Sequence, residues 1–342
     1  MINFDSKKEF KIALASTMIL ILLFFILGFF IWNGETPEKE IDGFCEGKRT
    51  GLLKEPMNSL SSLSYVFVGL YILYIMDDFP KKAKNPMLSR NIAPILYATG
   101  SIYIGLGSFA MHGSNTAIGG ILDWSGMLFF ISFPVFYNLS RNYPWVENRF
   151  LILFSSIFII TVLIDSIGVF TDFIIIEDDS GKDALIASDS DSQNLRLKDI
   201  TRDYLWALYI GTWIILEAKN TSRNNPIIMT SLPLIALFTL TVNPPHMLLL
   251  ILTILFLGIA GVSYYYPGEK IIRNPSPYLF GGLITYVLGN IVWRIDKSSQ
   301  CIPESLFQYH SLWHISTAFS ILFFYYYFST EEDNFEIIDS SE

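Results

Sequence analysis

Apolar residues in this chain form long runs that are separated by polar, charged or proline-containing segments. Because a helix rises about 1.5 Å per residue, about 20 apolar residues are needed to cross the hydrocarbon core of a bilayer. The pattern predicts membrane spans at residues 12–32, 58–75, 91–112, 116–139, 150–173, 204–217, 226–242, 245–266, 277–295 and 306–328. The span at 204–217 is short, and an interfacial position is its alternative. The pattern therefore predicts an all-α polytopic membrane protein.

Composition agrees with this fold class. Hydrophobic residues make up 51% of the chain and charged residues 16%, whereas soluble domains carry about 25% charged residues. Much of the net charge of −9 lies in residues 177–199 and in the tail 331–342. No basic patch is interleaved with aromatic residues, so the sequence does not predict nucleic-acid binding.

The chain is predicted to begin with an anchor helix and to end with an acidic tail. The apolar run at 12–32 is longer than the apolar region of a signal peptide, and Asn33-Gly34 follows it instead of a small-residue cleavage site. We therefore predict an uncleaved signal-anchor helix and linker over 1–43, with a cleaved signal peptide as the alternative. A transmembrane domain follows over 44–330, and residues 331–342 form the tail.

Basic residues in short loops predict the orientation, because cytoplasmic loops are enriched in lysine and arginine. Lys7, Lys8 and Lys11 precede the first span and place the N-terminus in the cytoplasm. Alternation then also places in the cytoplasm the C-terminus and the basic residues Lys81, Lys82, Lys84, Arg90, Arg141, Arg149, Lys219, Arg223, Lys270 and Arg273.

The same topology places Cys45 and Cys301, the two cysteines of the chain, on the non-cytoplasmic side. Disulfides persist in that compartment. We predict a Cys45–Cys301 disulfide, with two unrelated free thiols as the alternative.

The chain contains four histidines, and all of them fall near the outer ends of predicted spans. His310 and His314 have i, i+4 spacing, which puts both imidazoles on one helix face. His112 ends another predicted span at the same depth. His246 stands beside Pro245 without a partner in sequence, and we interpret it as an interfacial side chain.

Two further polar residues are predicted to lie beside these histidines. Ser108 is one helical turn from His112, and Asp123 lies near the start of the next span. A carboxylate inside a membrane needs a polar site nearby, because burying it in lipid without a partner is unfavourable. Asp165 lies inside another span, but no partner for it is evident in the sequence, and we leave it out of the site.

These residue types together indicate a hydrolytic zinc site. Three histidines hold catalytic zinc and leave one position for water, whose pKa the ion lowers toward about 7. Asp123 could accept the proton of that water and pass it to a leaving amine, and the Ser108 hydroxyl could stabilise an oxyanion. The alternative is that the histidines are interfacial and that Ser108 packs between helices.

The pattern Ser108-x-x-x-His112, Asp123 and His310-x-x-x-His314 resembles that of the alkaline ceramidase family, whose superfamily includes progestin and adiponectin receptor-type proteins. The stretches Cys45-Glu46, 55–61, 105–108 and 301–310 are also similar to bacterial ceramidase-domain proteins. The resemblance covers about residues 44–123 and 278–328. It implies a seven-helix core with zinc on His112, His310 and His314, and amide hydrolysis of ceramide-like lipids by Asp123 and Ser108.

The chain departs from this family in two respects. The interval between Asp123 and His310 is long for a seven-helix core, so we predict an acidic loop insert at 174–200 and a helical hairpin insert at 226–266. Animal members carry a calcium site near the Cys-Glu pair. Glu46 is retained and Glu55 could supply a second carboxylate, but Gly43 and Lys48 occupy other ligand positions. Calcium takes about six to eight oxygen ligands, so we do not expect it here.

Three other functions remain open at this point. A receptor of the adiponectin or progestin type would use the same zinc structurally. A haem-binding membrane protein would use the histidines as axial ligands, although His310 and His314 point the same way. A transporter would explain an aspartate inside the membrane. The sequence alone favours the hydrolase.

Overall fold

The computed structural model describes residues 7–34, 43–171, 174–176, 195–199, 202, 205–220, 271–274, 277–297 and 302–333. The chain divides into two compact units. The first unit comprises Met1–Phe130 and Asn274–Glu332, and the second comprises Ile131–Arg273 and Asp333–Glu342. The predicted hairpin insert at 226–266 and His246 lie outside the described residues.

Helices dominate the described chain. They are α1 (Lys8–Ile31), α2 (Pro56–Met76), α3 (Ile92–Ser114), α4 (Ala117–Asn142), α5 (Pro144–Glu147), α6 (Phe150–Thr171), α7 (Leu197–Asp199), α8 (Trp206–Asn220), α9 (Tyr278–Asp296) and α10 (Tyr309–Phe328), with a 3₁₀ turn at Pro86–Leu88. The short strands are β1 (Ile174–Ile176), β2 (Leu195–Arg196), β3 (Ile271–Ile272) and β4 (Glu332–Asp333).

Six of the described helices, α1, α2, α3, α4, α6 and α9, are long and apolar enough to cross a membrane. The prediction of a mainly helical, multi-pass membrane protein is therefore confirmed. The weakest predicted span corresponds to α8, which has only 15 residues. The helix at the last predicted span is α10, which is not among these six and begins later than predicted, at Tyr309. Gln308 and the residues before it form a hydrogen-bonded turn.

The strands were not predicted. Ile174 pairs with Arg196 and Ile176 pairs with Leu195 in an antiparallel arrangement. The segment predicted as an acidic loop over 174–200 is therefore not a loop at its ends. Its run of isoleucines favours strand because β-branched side chains suit an extended backbone.

The first unit is built around α2. This helix packs against α3 and α10, while α9 packs against α10, and α1 packs against α2 and α3. Glycine permits the closest approach, since a Cβ atom added at Gly69 of α2 would lie 2.5 Å from the carbonyl oxygen of Ala98 in α3. Small residues at such crossings allow the van der Waals packing that joins helices in lipid.

The two ends of the first unit differ in chemistry. At one end, the Lys7 ammonium donates to the carbonyl of Tyr74 (2.8 Å) and pairs with Asp78 (2.9 Å) near the C-terminus of α2. At the other end, the Trp32 indole donates to the carbonyl of Leu52 (3.2 Å), shortly before α2 begins. The helix α1 therefore runs antiparallel to α2. The histidine-bearing ends of α3 and α10 lie at the Trp32 end.

The second unit contains buried charges that are paired. The fully buried Arg273 guanidinium donates to Glu217 (2.7 Å) and to Asn138 (2.6 Å). Arg202 pairs with Asp165 at 3.2 Å. Asp165 thus has a partner that the sequence did not reveal, because the two residues belong to separate elements. Pairing lowers the free energy of burying each charge.

Replacing Gly69 by alanine is expected to destabilise the protein, because the new methyl group would collide with the α3 backbone. Overpacking of this kind costs about 1–3 kcal/mol. Gly120→Ala is the matched control, since nothing lies within 4 Å of the Cβ position at Gly120. Thermal unfolding in detergent should show a lower midpoint for Gly69→Ala only. An unchanged midpoint for Gly69→Ala would contradict the tight α2–α3 crossing.

Candidate metal centre

Three histidine side chains converge inside the first unit. One ligand atom from each of His112, His310 and His314 lies within 4.8 Å of the others. All three side chains are buried. Among the described residues, these are the ones that form a metal-binding group of histidine, cysteine or carboxylate ligands. The structure therefore brings together the three metal ligands that the sequence predicted.

Local helix geometry produces this convergence. His310 and His314 lie one turn apart in the first turns of α10, so their rings share one face, with centroids 4.5 Å apart. His112 lies in the last turn of α3, which ends where Asn115 adopts a left-handed conformation (φ 52°) and donates its N–H to Met111. Asparagine tolerates this conformation better than most residues. The end of α3 therefore fixes the position of His112.

The His112 ring is oriented by a carboxylate. Its Nδ1 lies 2.6 Å from Oε2 of Glu55, which also accepts a hydrogen bond from Asn58 Nδ2 (3.0 Å). The Glu55 backbone N–H donates to the carbonyl of His112 (3.0 Å). Because a carboxylate accepts hydrogen bonds, Nδ1–H donates to Glu55, and Nε2 is the nitrogen that could bind a metal. A carboxylate on the second ring nitrogen is the usual support of a metal-binding histidine.

Two serines surround the His314 ring. Ser61 Oγ donates to the carbonyl of Asn58 (2.9 Å) and lies 2.9 Å from His314 Nδ1. Because Ser61 donates its single proton to that carbonyl, its oxygen is available to accept from Nδ1–H of His314. Ser108 Oγ lies 3.2 Å from His314 Nε2. The hydroxyl predicted to act on the substrate thus lies within hydrogen-bonding distance of a nitrogen that could bind a metal.

His310 provides the test of whether these residues fit a metal ion. Its backbone N–H donates to Oδ1 of Asp296 (3.1 Å), while its side-chain Nδ1 is buried without a hydrogen-bond partner among the described residues. A buried polar atom without a partner is destabilising by about 1–3 kcal/mol. A metal ion bound through this Nδ1 would remove the penalty, so the donor set fits a metal such as zinc.

Asp123 lies outside the ligand group but within its electrostatic reach. It is in the second turn of α4, is 8% exposed, and interacts electrostatically with His112 and with Tyr65. Glu55 and Glu46 also interact electrostatically with His112. Three carboxylates therefore act on the His112 side of the cluster. A cation at the centre would offset their negative charge.

The carboxylates considered as calcium ligands have other contacts in the structure. Glu46 accepts the backbone N–H groups of Met57 (2.9 Å) and Asn58 (2.8 Å), which belong to the first turn of α2. Burial raises the pKa of the Glu46 carboxyl above its ordinary value, and these two hydrogen bonds oppose the shift. Glu55 holds His112. Both residues thus support the histidine site from the start of α2.

Several supporting residues were missed by the sequence analysis. Ser61 and Asn58 were noted only as parts of a motif, and Glu55 only as a calcium ligand. Asp296, which is buried and accepts N–H groups from Cys45 (3.0 Å) and His310, was not singled out. An acidic residue at the very end of an apolar span was an available signal, since such residues mark functional sites.

Searches against protein-family models and against curated proteins find no match to this chain. The class of this protein is therefore described from its helices and its histidine cluster. It is a helical, multi-pass membrane protein with a buried three-histidine cluster that could hold a metal ion.

Replacing Glu55 by glutamine is expected to weaken zinc binding, because the amide presents a weaker acceptor to His112 Nδ1. Loss of such a supporting partner lowers metal affinity by about 10- to 100-fold. Competition with a chelator of known affinity measures the change. Glu147→Gln, at an exposed glutamate after α4, is the control. Equal affinities for wild type and Glu55→Gln would show that Glu55 does not support the ligand.

Proposed function

We propose that this protein is a zinc-dependent intramembrane hydrolase that cleaves the amide bond of a ceramide-like lipid. The observation that carries the proposal is the buried cluster of His112, His310 and His314, in which His310 Nδ1 has no partner among the described residues. The resemblance of its motifs to alkaline ceramidases supplies the reaction and the substrate class.

The roles proposed for the chain's own residues are those that the sequence predicted. His112, His310 and His314 would hold zinc, which would supply a Lewis acid and lower the pKa of the attacking water. Asp123 accepts the proton of that water and returns it to the leaving nitrogen. Ser108 donates its hydroxyl hydrogen to the oxyanion that forms on the carbonyl. The water oxygen bonds to the carbonyl carbon, the C–N bond breaks, and the products are a fatty acid and a long-chain amine.

The surroundings of the site favour a lipid as the substrate. His112 lies in the last turn of α3, which is long and apolar enough to cross a membrane, and His310 and His314 lie in the first turns of the 20-residue α10. The three side chains are buried. A lipid amide could reach such a site from the bilayer with its chains still in an apolar environment. A soluble amide would have to leave water, which is unfavourable without new hydrogen bonds.

The topology forms part of the proposal. The seven-helix core comprises α2, α3, α4, α6, α8, α9 and α10, and α1 is an added anchor. Both termini face the cytoplasm, and the histidines face the other side. Lys7 and the 77–90 segment with Arg90 lie at the α2 end remote from Glu55. The positive-inside rule then orients the unit.

The disulfide is a proposal that local contacts support. Cys45 is buried, and Cys301, the other cysteine of the chain, lies outside the described residues. Near these positions, Gly47 N–H donates to the carbonyl of Pro303 (2.9 Å). A Cys45–Cys301 bond would join the segment before α2 to the segment before α10.

The metal content of the detergent-purified protein tests the proposal first. Elemental mass spectrometry is expected to find about one zinc per chain in wild type. His314→Ala should lose it, because two imidazoles and water hold zinc more weakly than three. A chelator-free wild type without zinc would contradict the hydrolase mechanism, and the haem and transport alternatives would gain weight.

Product release from amide lipids tests the reaction in the zinc-loaded protein. Asp123→Asn should retain zinc and lose activity by about 10²- to 10⁴-fold, the usual contribution of a general base. Bound zinc without release of fatty acid from any ceramide-like lipid would instead favour a receptor with structural zinc.

The disulfide is tested by peptide mapping of unreduced protein. A peptide pair that joins Cys45 to Cys301 within one chain is expected, and it should disappear on reduction. Peptides with free thiols, or a dimer that reduction separates, would contradict the intramolecular bond.

A further inference from the structure

A short segment crosses the histidine-bearing end of the first unit. In this segment, residues 44–47, the ring of Phe44 lies directly against two of the candidate ligands. Its centroid is 4.4 Å from that of His310 and 4.7 Å from that of His112. Phe44 is half-buried, so one part of its ring contacts the imidazoles while another part remains accessible.

Each of the three residues that follow Phe44 in segment 44–47 forms hydrogen bonds that hold the segment in place. Cys45 N–H donates to Asp296 Oδ2 at the end of α9 (3.0 Å), and the Glu46 carboxylate accepts N–H groups from the first turn of α2. Gly47 N–H donates to Pro303 ahead of α10 (2.9 Å). These contacts reach the same helix ends that carry or support the histidines, so they hold the Phe44 ring in place.

The anchors also connect Phe44 to the ligand geometry. Asp296 receives both the Cys45 N–H and the His310 N–H on its two carboxylate oxygens. The segment and the first turn of α10 are therefore bound to one buried carboxylate. A displacement of the segment would therefore change the position of Asp296 and of the His310 backbone that is bound to it.

We propose that Phe44 is a positioning residue that shields the His112 and His310 ligands from bulk water and keeps their rings in the metal-binding orientation. Aromatic contacts of this geometry are worth about 0.5–1.5 kcal/mol beyond the area they bury. An apolar shell around a metal site controls the access of solvent to it. Water and water-soluble chelators therefore reach the ion slowly from this side.

This role of Phe44 rests on one part of the proposed function, namely that the three histidines bind zinc. It does not depend on the reaction that the zinc performs.

The rate of zinc release to a chromogenic chelator tests this role in the full-length, zinc-loaded protein. Phe44→Ala is expected to release zinc about tenfold faster than wild type or more, in line with the loss of other groups around metal ligands. Phe44→Trp, which keeps an aromatic cover, should restore slow release. Phe307→Ala is the matched control, because Phe307 is 61% exposed in the segment before α10.

Each outcome decides the question. An unchanged release rate in Phe44→Ala, with zinc still bound at the wild-type ratio, would overturn the shielding role and leave the metal centre intact. If Phe44→Ala does not fold, Phe44→Gln replaces it, because glutamine keeps much of the side-chain length but removes the apolar ring. Faster release from Phe44→Gln supports the role, and equal release overturns it. A wild type that binds no zinc contradicts the proposed function instead, so the two failures are distinct.

Discussion

The hydrogen bond between Glu55 and His112 is the interaction on which the geometry of the site depends. Glu55 precedes the first turn of α2, and His112 lies in the last turn of α3, so one contact of 2.6 Å fixes two helix ends together. Backbone hydrogen bonds from Lys54 to Gly113 (2.9 Å) and from Glu55 to His112 (3.0 Å) reinforce it. A carboxylate buried this deeply is stable only with such partners. The His112 ring is thereby held with Nε2 free for a ligand.

The membrane imposes the second constraint. A helix in lipid forms the hydrogen bonds of its own backbone N–H and C=O groups, but polar side chains inside the bundle need hydrogen-bond partners from neighbouring helices. Ser62 donates to Gly105 (3.1 Å), Ser101 donates to the carbonyl of Tyr65 (2.7 Å), and Ser64 donates to the carbonyl of His314 (3.3 Å). These contacts lie along the α2–α3 and α2–α10 crossings. The packing that closes the first unit and the hydrogen bonds that support the histidines therefore come from the same helix faces.

The sequence predicted the helices of this protein better than it predicted which residues pair with one another between them. Long apolar runs predicted α1, α2, α3, α4, α6 and α9 within a few residues, because only helices satisfy the backbone in a bilayer. The spacing of His310 and His314 predicted a shared face for the same local reason. By contrast, the partners of Asp165 and of Asp296 were not evident, since each pairs with residues far along the chain. The strand pair at Ile174 and Arg196 escaped prediction because its residues come from the two ends of an acidic segment.

The sequence by itself determined that this chain crosses a membrane as helices and that three histidines and Asp123 belong near one end of them. Hydrophobic runs and helical spacing are local properties of the sequence. Because each run must match the thickness of the bilayer, the position of a residue within its run predicts its depth in the membrane. Only the tertiary structure decided that Glu55 orients His112, that Ser61 and Ser108 flank His314, and that Phe44 covers two of the imidazoles. Those contacts depend on how α2, α3 and α10 pack, and packing is set by the shapes of surfaces that are distant in sequence.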